Sequence, residues 1–391
     1  MKAVQNSSPL RIELIRSLKG DVMQHHSSLR FSRNAARFSV GFLAAAMSVS
    51  ASLAQSKVLP ASVPQTDSSY VDSNGTAHIT RVVPVPTTIS PQARAFLARP
   101  VPDLRAMTLA QRRAKTDVWQ AERAAKFRAM YPVNIARGVL GGVPVRVITP
   151  LAMPAQNRGL VLMNLHGGGF DSDSGSLTET IPIANLAKVK VVAVLYRLLP
   201  EHPYPAQIDD AIAVYQQLLR TYAASKICMY GTSAGAILTP EVAVRLRQLR
   251  LPLPGCLGVF SGWGDFSQAG DSQAIFGLFG LKGPVGLPTS STNPGGGIRI
   301  PGAPENLKDP VLSPLYANLK GFPPALFITS ERDMLLSGTT ILHRAFLRAG
   351  VDARLVVFEG LPHAFWNHPG LPETREADEI MAGYFTRELH R

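Results

Sequence analysis

From residue 138 onward, short apolar runs alternate with longer stretches in which apolar residues recur at helical spacing. The runs are bounded by glycine, proline or polar residues, which favours buried strands. The strand candidates are residues 160–165, 191–196, 226–230, 256–260, 325–329 and 353–358, preceded by a hairpin candidate at residues 139–147. Strands that alternate with helices predict an α/β fold with a mainly parallel sheet and helices on both faces.

The pattern changes outside and within this region. Residues 90–129 have helical periodicity, whereas residues 55–89 are rich in Ser, Pro, Thr and Val and have none. The second segment therefore predicts an extended or disordered tether. Residues 262–309 interrupt the alternation with phenylalanine-rich and glycine-rich stretches, which we interpret as an insertion. Its phenylalanines either line a substrate pocket or pack the insertion onto the core.

A Gly-x-Ser-x-Gly pentapeptide, Gly231-Thr232-Ser233-Ala234-Gly235, lies between a strand candidate and a helical stretch at residues 236–249. Such a strand-to-helix turn exposes the serine hydroxyl, and glycine fits two residues before and after it because it lacks a Cβ. The N-terminus of the following helix favours negative charge that develops at the turn. Ser233 is therefore a candidate nucleophile, although the pentapeptide alone is equally typical of an ordinary turn.

Three glycines follow the strand candidate at residues 160–165, in the sequence His166-Gly167-Gly168-Gly169. Triple glycine is common in flexible loops, but here it stands directly after a core strand. Its uncovered backbone N–H groups, together with the N–H of Ala234, are suited to bind an oxyanion. The two motifs together favour an oxyanion hole over a linker.

A serine that transfers acyl groups needs a base and an orienting acid. His363 lies in the loop after the strand candidate at residues 353–358, and we assign it as the base. The other downstream histidines lie in a helical pattern, before a Pro-Gly turn and in the C-terminal tail: His343, His368 and His390. Glu331 and Asp333 both follow the strand candidate at residues 325–329, and the pattern leaves both open as the acid.

Taken in order, these motifs resemble the hormone-sensitive-lipase-like esterases, bacterial family IV of the α/β-hydrolase superfamily. The matching segments are His166-Gly167-Gly168-Gly169 (family HGGG), residues 196–206 (YRLLPEHPYPA against YRLAPEHPFPA), the GTSAG elbow at 231–235, and the loops at Asp333-Met334-Leu335 and His363-Ala364-Phe365. The resemblance spans residue 137 to the C-terminus. One departure is Ala236, where many relatives carry a further glycine.

The resemblance implies an α/β-hydrolase fold with an eight-stranded-type sheet and a helical cap. It favours Asp333 over Glu331 and implies a triad of Ser233 as nucleophile, Asp333 as acid and His363 as base. Glu201 and Asp209 are expected to brace the loops around the site.

The same resemblance implies which groups bind the oxyanion. The expected donors are the N–H groups of Gly168, Gly169 and Ala234, with Gly167 as an alternative. His166 is expected to orient the loop. No metal or cofactor is expected, and no Cys/His cluster has the spacing of a metal site.

The function implied is a serine carboxylesterase for short- to medium-chain acyl esters, acting through an acyl-enzyme on a small-molecule substrate. Amidase or formamidase, deacetylase and lactonase activities use the same triad and stay open. A non-catalytic ligand-binding protein is the alternative from another class. Plant gibberellin receptors resemble the family but lack the triad histidine, which is present here as His363. The sequence leaves the oligomeric state open, with a homodimer as one alternative.

The first 54 residues have the pattern of a signal peptide, in which Arg30, Arg33 and Arg37 precede an apolar segment at residues 38–53 and small residues follow. We therefore expect an exported protein, periplasmic or secreted, without a stable membrane span after cleavage. An uncleaved anchor is the alternative, but the segment is short for a span. A start at Met23 instead of Met1 would give a more usual length. The expected organisation is signal peptide 1–54, tether 55–89, cap helices 90–135 and catalytic domain 136–391 with a cap insertion at about 263–308.

The net charge of +13 includes +5 from residues 1–54, which carry seven basic and two acidic residues, so +8 belongs to the rest. These charges are scattered and accompany no nucleic-acid-binding motif, which argues against a nucleic-acid partner. Two cysteines, Cys228 and Cys256, lie in strand candidates. An exported protein could pair them, but we expect two buried free thiols because neighbouring parallel strands seldom suit disulfide geometry.

Overall fold

The computed structural model describes residues 67–101, 106–268, 270–285 and 300–391. The predicted signal peptide and its apolar segment lie outside these residues. The chain forms two compact units, Met1–Thr80 and Arg81–Arg391. In the described part of the first unit, strands β1 (Ser68–Val71) and β2 (Ala77–Thr80) pair antiparallel. The side chain of Asp72 accepts the N–H groups of Asn74 and Thr76 in the turn, so the expected tether contains a local hairpin.

The second unit is built on an eight-stranded sheet. Its strands are β3 (Val133–Leu140), β4 (Val143–Pro150), β5 (Val161–Leu165), β6 (Lys190–Val194), β7 (Ile227–Thr232), β8 (Cys256–Phe260), β11 (Ala325–Arg332) and β12 (Ala353–Pro362), with β9 (Gly277–Phe279) and β10 (Lys282–Val285) in a separate hairpin. The order is β12-β11-β8-β7-β5-β6-β4-β3. The two pairs that β4 forms, with β3 and with β6, are antiparallel and the other five pairs are parallel, so the predicted mainly parallel sheet is confirmed.

Eight α-helices are present in the described residues: α1 (Pro91–Ala98), α2 (Leu109–Met130), α3 (Ile181–Ala187), α4 (Ala206–Leu219), α5 (Ala234–Gln248), α6 (Asp271–Ile275), α7 (Leu336–Arg348) and α8 (Pro372–Leu389). Side chains alternate across a strand, and β5 shows the result. Val161, Met163 and Leu165 join a core with α4, α5 and α7, whereas Leu162 joins a core with α1, α2, α3 and α8. Both faces of the sheet are thus covered by helices, as predicted.

Helices α1 and α2 occupy the region expected to form the N-terminal cap. Ser90 caps α1 by accepting the N–H of Ala93, and Thr108 and Gln111 form a reciprocal capping box at the start of α2. None of the helices within the described ranges is long and apolar enough to cross a membrane.

The region expected to be a cap insertion contains α6, β9 and β10 up to Val285, and residues 286–299 lie outside the described part. A groove of about 450 Å³ runs beside it. Its lining includes Val83, Ile275, Phe276, Leu281 and Arg332. Phe276 therefore faces this groove and is not confined to packing against the core.

The expectation of two free thiols is wrong, because Cys228 and Cys256 form a disulfide. The two residues are direct partners in the register of β7 and β8 and point to the same face of the sheet. Their Cα atoms are 4.7 Å apart, within the range that a disulfide bridges. Strand register decides such a pairing, and the sequence alone does not show it.

Candidate active site

Ser233 lies at the turn between β7 and α5, with φ 56° and ψ −120°. Positive φ is uncommon for a residue with a side chain and marks a strained turn. The serine is half-buried, and its own N–H donates to the carbonyl oxygen of Phe260 at 3.0 Å. The turn therefore holds the hydroxyl at the carboxyl end of a central strand, with the N-terminus of α5 directly behind it.

The two glycines of the pentapeptide are required by close backbone approaches. A Cβ at residue 235 would overlap the carbonyl oxygen of Leu165, the last residue of β5. A Cβ at residue 231 would overlap the backbone of Gly235. The elbow thus packs against the strand that leads into the glycine-rich loop, which couples the position of Ser233 to that loop.

Asp333 and His363 come from the ends of β11 and β12 and meet in the interior. Nδ1 of His363 lies 2.8 Å from Oδ1 of Asp333, and both side chains are almost fully buried. The carboxylate accepts a hydrogen bond from Nδ1–H, which leaves Nε2 as the basic nitrogen. In the described part of the chain, Nε2 has no hydrogen-bond partner.

Four groups satisfy the Asp333 carboxylate. Besides His363, Oδ1 accepts the N–H of Leu335 at 2.9 Å, and Oδ2 accepts the hydroxyls of Ser261 and, at 2.9 Å, Thr329. Burial alone would raise the pKa of Asp333, but the His363 charge and these hydrogen bonds outweigh it and hold the pKa below its usual value. The sequence does not single out Ser261 and Thr329, since a hydroxyl after one strand and another within its neighbour form no motif.

The glycine-rich loop follows β5. Gly168 and Gly169 have φ values of +124° and +64°, and a Cβ at residue 168 would overlap the carbonyl oxygen of Ser172. In the described part of the chain, the N–H groups of both glycines make no hydrogen bond. The N–H of Gly167 instead donates to Oε1 of Glu179 at 3.0 Å. Gly167 is thereby removed from the possible oxyanion donors.

His166 is buried at the start of this loop. Its ring stacks on Tyr196 at a centroid distance of 4.2 Å, and the Tyr196 hydroxyl donates to the His166 carbonyl oxygen at 2.6 Å. Nδ1 of His166 lies 2.9 Å from the Gly167 carbonyl oxygen and 3.7 Å from Asp173. These contacts hold the loop on the strand end.

Helix α2 contacts the loops around the site through Arg113. Its guanidinium donates to both carboxylate oxygens of Glu201 at 2.7 Å and to the carbonyl oxygens of Leu199 and Asp171 at 2.7 and 2.6 Å. The Arg113 hydrogen bond lowers the pKa of Glu201 to about 2. Glu201 thus takes part in bracing the loops.

The same role was expected of Asp209, and this expectation is wrong. Asp209 is exposed, whereas the neighbouring Asp210 is buried and binds Arg197. Its carboxylate accepts the Arg197 backbone N–H at 2.8 Å and the guanidinium at 2.8 to 3.0 Å. The helical position decides the difference, because only one of two adjacent residues on α4 faces the loop.

The competing titratable residues have other partners. The neighbouring carboxyl group of Glu331 raises the pKa of Glu359. His343 lies 3.2 Å from the carbonyl oxygen of Ala353. Burial is the largest cause that lowers the pKa of His368 to about 3, and the charge of Arg123 is the next. Over the described ranges, no group of three or more His, Cys, Asp or Glu residues could hold a metal ion.

A model of a family with the α/β-hydrolase fold matches residues 162–367, more than half of the chain. The chain belongs to this family. It is 32% identical to an esterase of known crystal structure, with a TM-score of 0.67 over 78% of this chain and 97% of that chain. A second crystal structure, of an esterase from the bacterial hormone-sensitive lipase family, is 26% identical, with a TM-score of 0.61 over 77% and 99%.

Among sequence relatives, an acetyl-hydrolase of Streptomyces hygroscopicus is 31% identical over 272 residues, which cover 64% of this chain and 85% of the relative. These likenesses confirm the resemblance to the hormone-sensitive-lipase-like esterases. They also confirm that the protein is an esterase-type serine hydrolase.

Proposed function

We propose that the protein hydrolyses short- to medium-chain carboxylic esters through a triad of Ser233, His363 and Asp333. The observation that carries the proposal is the buried Asp333–His363 pair, which leaves Nε2 of His363 without a partner among the described residues. Ser233 stands at the same edge of the sheet in a strained elbow. These groups have the chemistry that acyl transfer requires.

In the proposed mechanism, Oγ of Ser233 attacks the ester carbonyl carbon while Nε2 of His363 takes its proton. The tetrahedral oxyanion accepts the N–H groups of Gly168, Gly169 and Ala234. Collapse breaks the bond to the alcohol oxygen, which takes the proton from His363 and leaves an acyl-enzyme. Water, deprotonated by His363, then attacks the acyl carbon, and the carboxylic acid leaves as the proton returns to Ser233. Asp333 stabilises the imidazolium at both stages.

The preference for short acyl chains is supported by the relative named acetyl-hydrolase, in which the name refers to the removal of an acetyl group. Ester, amide and lactone cleavage share the nucleophile and the oxyanion hole. Both similar structures are named as esterases, which favours ester cleavage over amide or lactone cleavage.

The test is hydrolysis of p-nitrophenyl esters from C2 to C16 by the full chain, its Ser233→Ala variant and a Ser225→Ala control. Ser225 is exposed and lies in the short 3-10 turn Ala224–Lys226 before β7, at the opposite end of that strand from Ser233. We expect turnover highest on short chains, a fall of at least about 10³-fold in Ser233→Ala, and wild-type rates in the control. Equal rates in wild type and Ser233→Ala would exclude the mechanism. Activity confined to amide or lactone substrates would exclude ester hydrolysis as the function.

We also propose that the protein is exported, with residues 1–54 as the signal peptide. The Arg-rich and apolar pattern of residues 30–53 supports this, and so does the Cys228–Cys256 disulfide, because disulfides persist in oxidising compartments. N-terminal sequencing of protein from the periplasm or the medium is expected to begin near Gln55. An intact N-terminus in the cytosolic fraction would contradict export.

A further inference from the structure

Glu179 is a buried carboxyl group on the segment after the glycine-rich loop, and no step of the proposed mechanism uses it. It is 4% exposed. Oε1 accepts the N–H of Gly167 at 3.0 Å, and Oε2 accepts Nδ2 of Asn164 at 3.1 Å. No lysine or arginine of the described residues pairs with it. A buried carboxylate with two neutral donors is costly, and burial raises the pKa of Glu179 to about 8.

The titratable neighbours of Glu179 do not favour its ionisation. Asp173, on the same loop, adds a like charge that also raises the pKa of Glu179. Tyr196, two residues after β6, and Tyr230 on β7 face it, and burial raises the pKa of both phenols, so both stay neutral. The Tyr230 hydroxyl donates to the backbone oxygen of Glu179 at 3.0 Å. The remaining charged or titratable groups of the cluster lie against Asp173: His166 and Arg146.

The amide of Asn164 accommodates a protonated Glu179. Its Oδ1 is buried and has no hydrogen-bond partner in the described part of the chain. The two ends of an amide are nearly equal in shape, and rotation by 180° exchanges them. In the rotated form, Oδ1 accepts the O–H of the neutral acid while Gly167 continues to donate to Oε1. The pair is therefore compatible with a neutral carboxylic acid at pH 7.

We propose that Glu179 is a positioning residue for the oxyanion hole, an inference that rests on the proposed function. As a neutral acid it holds the Gly167 N–H, which orients the next two peptide groups so that Gly168 and Gly169 direct their N–H groups at the oxyanion. When Glu179 ionises, a negative charge lies one peptide unit from these donors. Like charges in a buried site repel strongly, so ionisation opposes the developing oxyanion and slows catalysis.

The experiment measures kcat and KM for p-nitrophenyl acetate between pH 6 and 10 with the full chain. The wild type is expected to lose kcat above about pH 8, where Glu179 loses its proton. Glu179→Gln keeps an acceptor for Gly167 and cannot ionise, so the alkaline fall should disappear. Glu179→Ala removes the acceptor, and we expect kcat to fall by about 10- to 100-fold at pH 7 with a smaller change in KM.

The matched control is Glu241→Gln. Glu241 is a second buried carboxyl whose pKa burial raises well above its usual value, but it lies on α5. This variant should keep the wild-type alkaline fall. Circular dichroism at each pH separates loss of activity from unfolding.

Two results would overturn the inference: an unchanged alkaline fall in Glu179→Gln, or a wild-type kcat in folded Glu179→Ala. Ser233→Ala separates this failure from that of the proposed function. If Ser233→Ala is inactive and Glu179→Gln has the wild-type pH profile, only the role of Glu179 is wrong. If Ser233→Ala is fully active, the triad mechanism itself fails.

Discussion

Ser233 holds a backbone conformation that most residues avoid, and the glycines on either side make it sterically possible. The Gly-x-Ser-x-Gly pattern predicted this turn because only residues without a Cβ fit the close backbone contacts beside the serine. Glu179, Ser261 and Thr329 carry no such pattern. They contact the site through hydrogen bonds to residues 12, 72 and 4 positions away, and in the first two cases the fold creates the proximity.

At the residue scale, Gly235→Ala should disrupt the elbow. The new Cβ overlaps the Leu165 carbonyl oxygen, so the end of β5 and the glycine-rich loop must move. Overpacking of this kind costs about 1–3 kcal/mol of unfolding free energy, and a displacement of about 1 Å at a catalytic site costs about 100-fold in rate. Urea denaturation and ester hydrolysis measure the two effects.

The control is Ala236→Gly, one residue along α5, which introduces the further glycine that many relatives carry. It should cost only about 1 kcal/mol, through helix propensity, and retain most activity. If Gly235→Ala is as stable and as active as this control, the close approach to Leu165 is not a constraint.

At the element scale, the periodicity of apolar residues was sufficient to predict most strands of the second unit. The six strand candidates from residue 160 onward correspond to β5, β6, β7, β8, β11 and β12, because buried parallel strands consist of continuous apolar runs. The hairpin in the expected tether was not predicted, since its strands lack an apolar pattern. The Cys228–Cys256 disulfide was mispredicted because it depends on the register between two strands, which no single strand specifies.

At the scale of the whole molecule, several ionisable groups are buried inside the second unit, and their pKa values link its stability to pH. Burial raises the pKa of Glu241 and Asp378 well above their usual values, and that of Glu179 to about 8. Each binds a proton more tightly when folded, so its contribution is full below the unfolded pKa near 4 and is lost as pH rises toward the folded value. His368, with its pKa lowered to about 3, acts in the opposite direction below about pH 6.5.

The three carboxyl groups outnumber the one histidine, so we expect the free energy of unfolding to be greatest near pH 4 and to decline toward pH 8. Below about pH 4 it should fall again, because the pKa of Asp333 is held low in the folded state and its stabilising contribution is lost on protonation. Urea denaturation at intervals from pH 3 to 9 measures this profile.

Glu241→Gln should flatten the decline between pH 5 and 8, because one of its causes is removed. Glu122→Gln, at an exposed position on α2, should leave the profile unchanged. A profile that rises steadily from pH 5 to 8 would show that these carboxyl groups are not neutral in the folded protein.

The sequence by itself determined the α/β alternation, the nucleophile turn, the glycine-rich loop and the order of the acid and histidine loops. Each of these depends on local periodicity or on the steric requirement for glycine, and both are encoded by residues that are close together along the chain. Tertiary structure alone decided which nitrogen of His363 faces Asp333, which of Asp209 and Asp210 braces a loop, and that the Gly167 N–H is bound by Glu179. These outcomes depend on side chains brought together from separate elements, and no spacing along the chain encodes such distances.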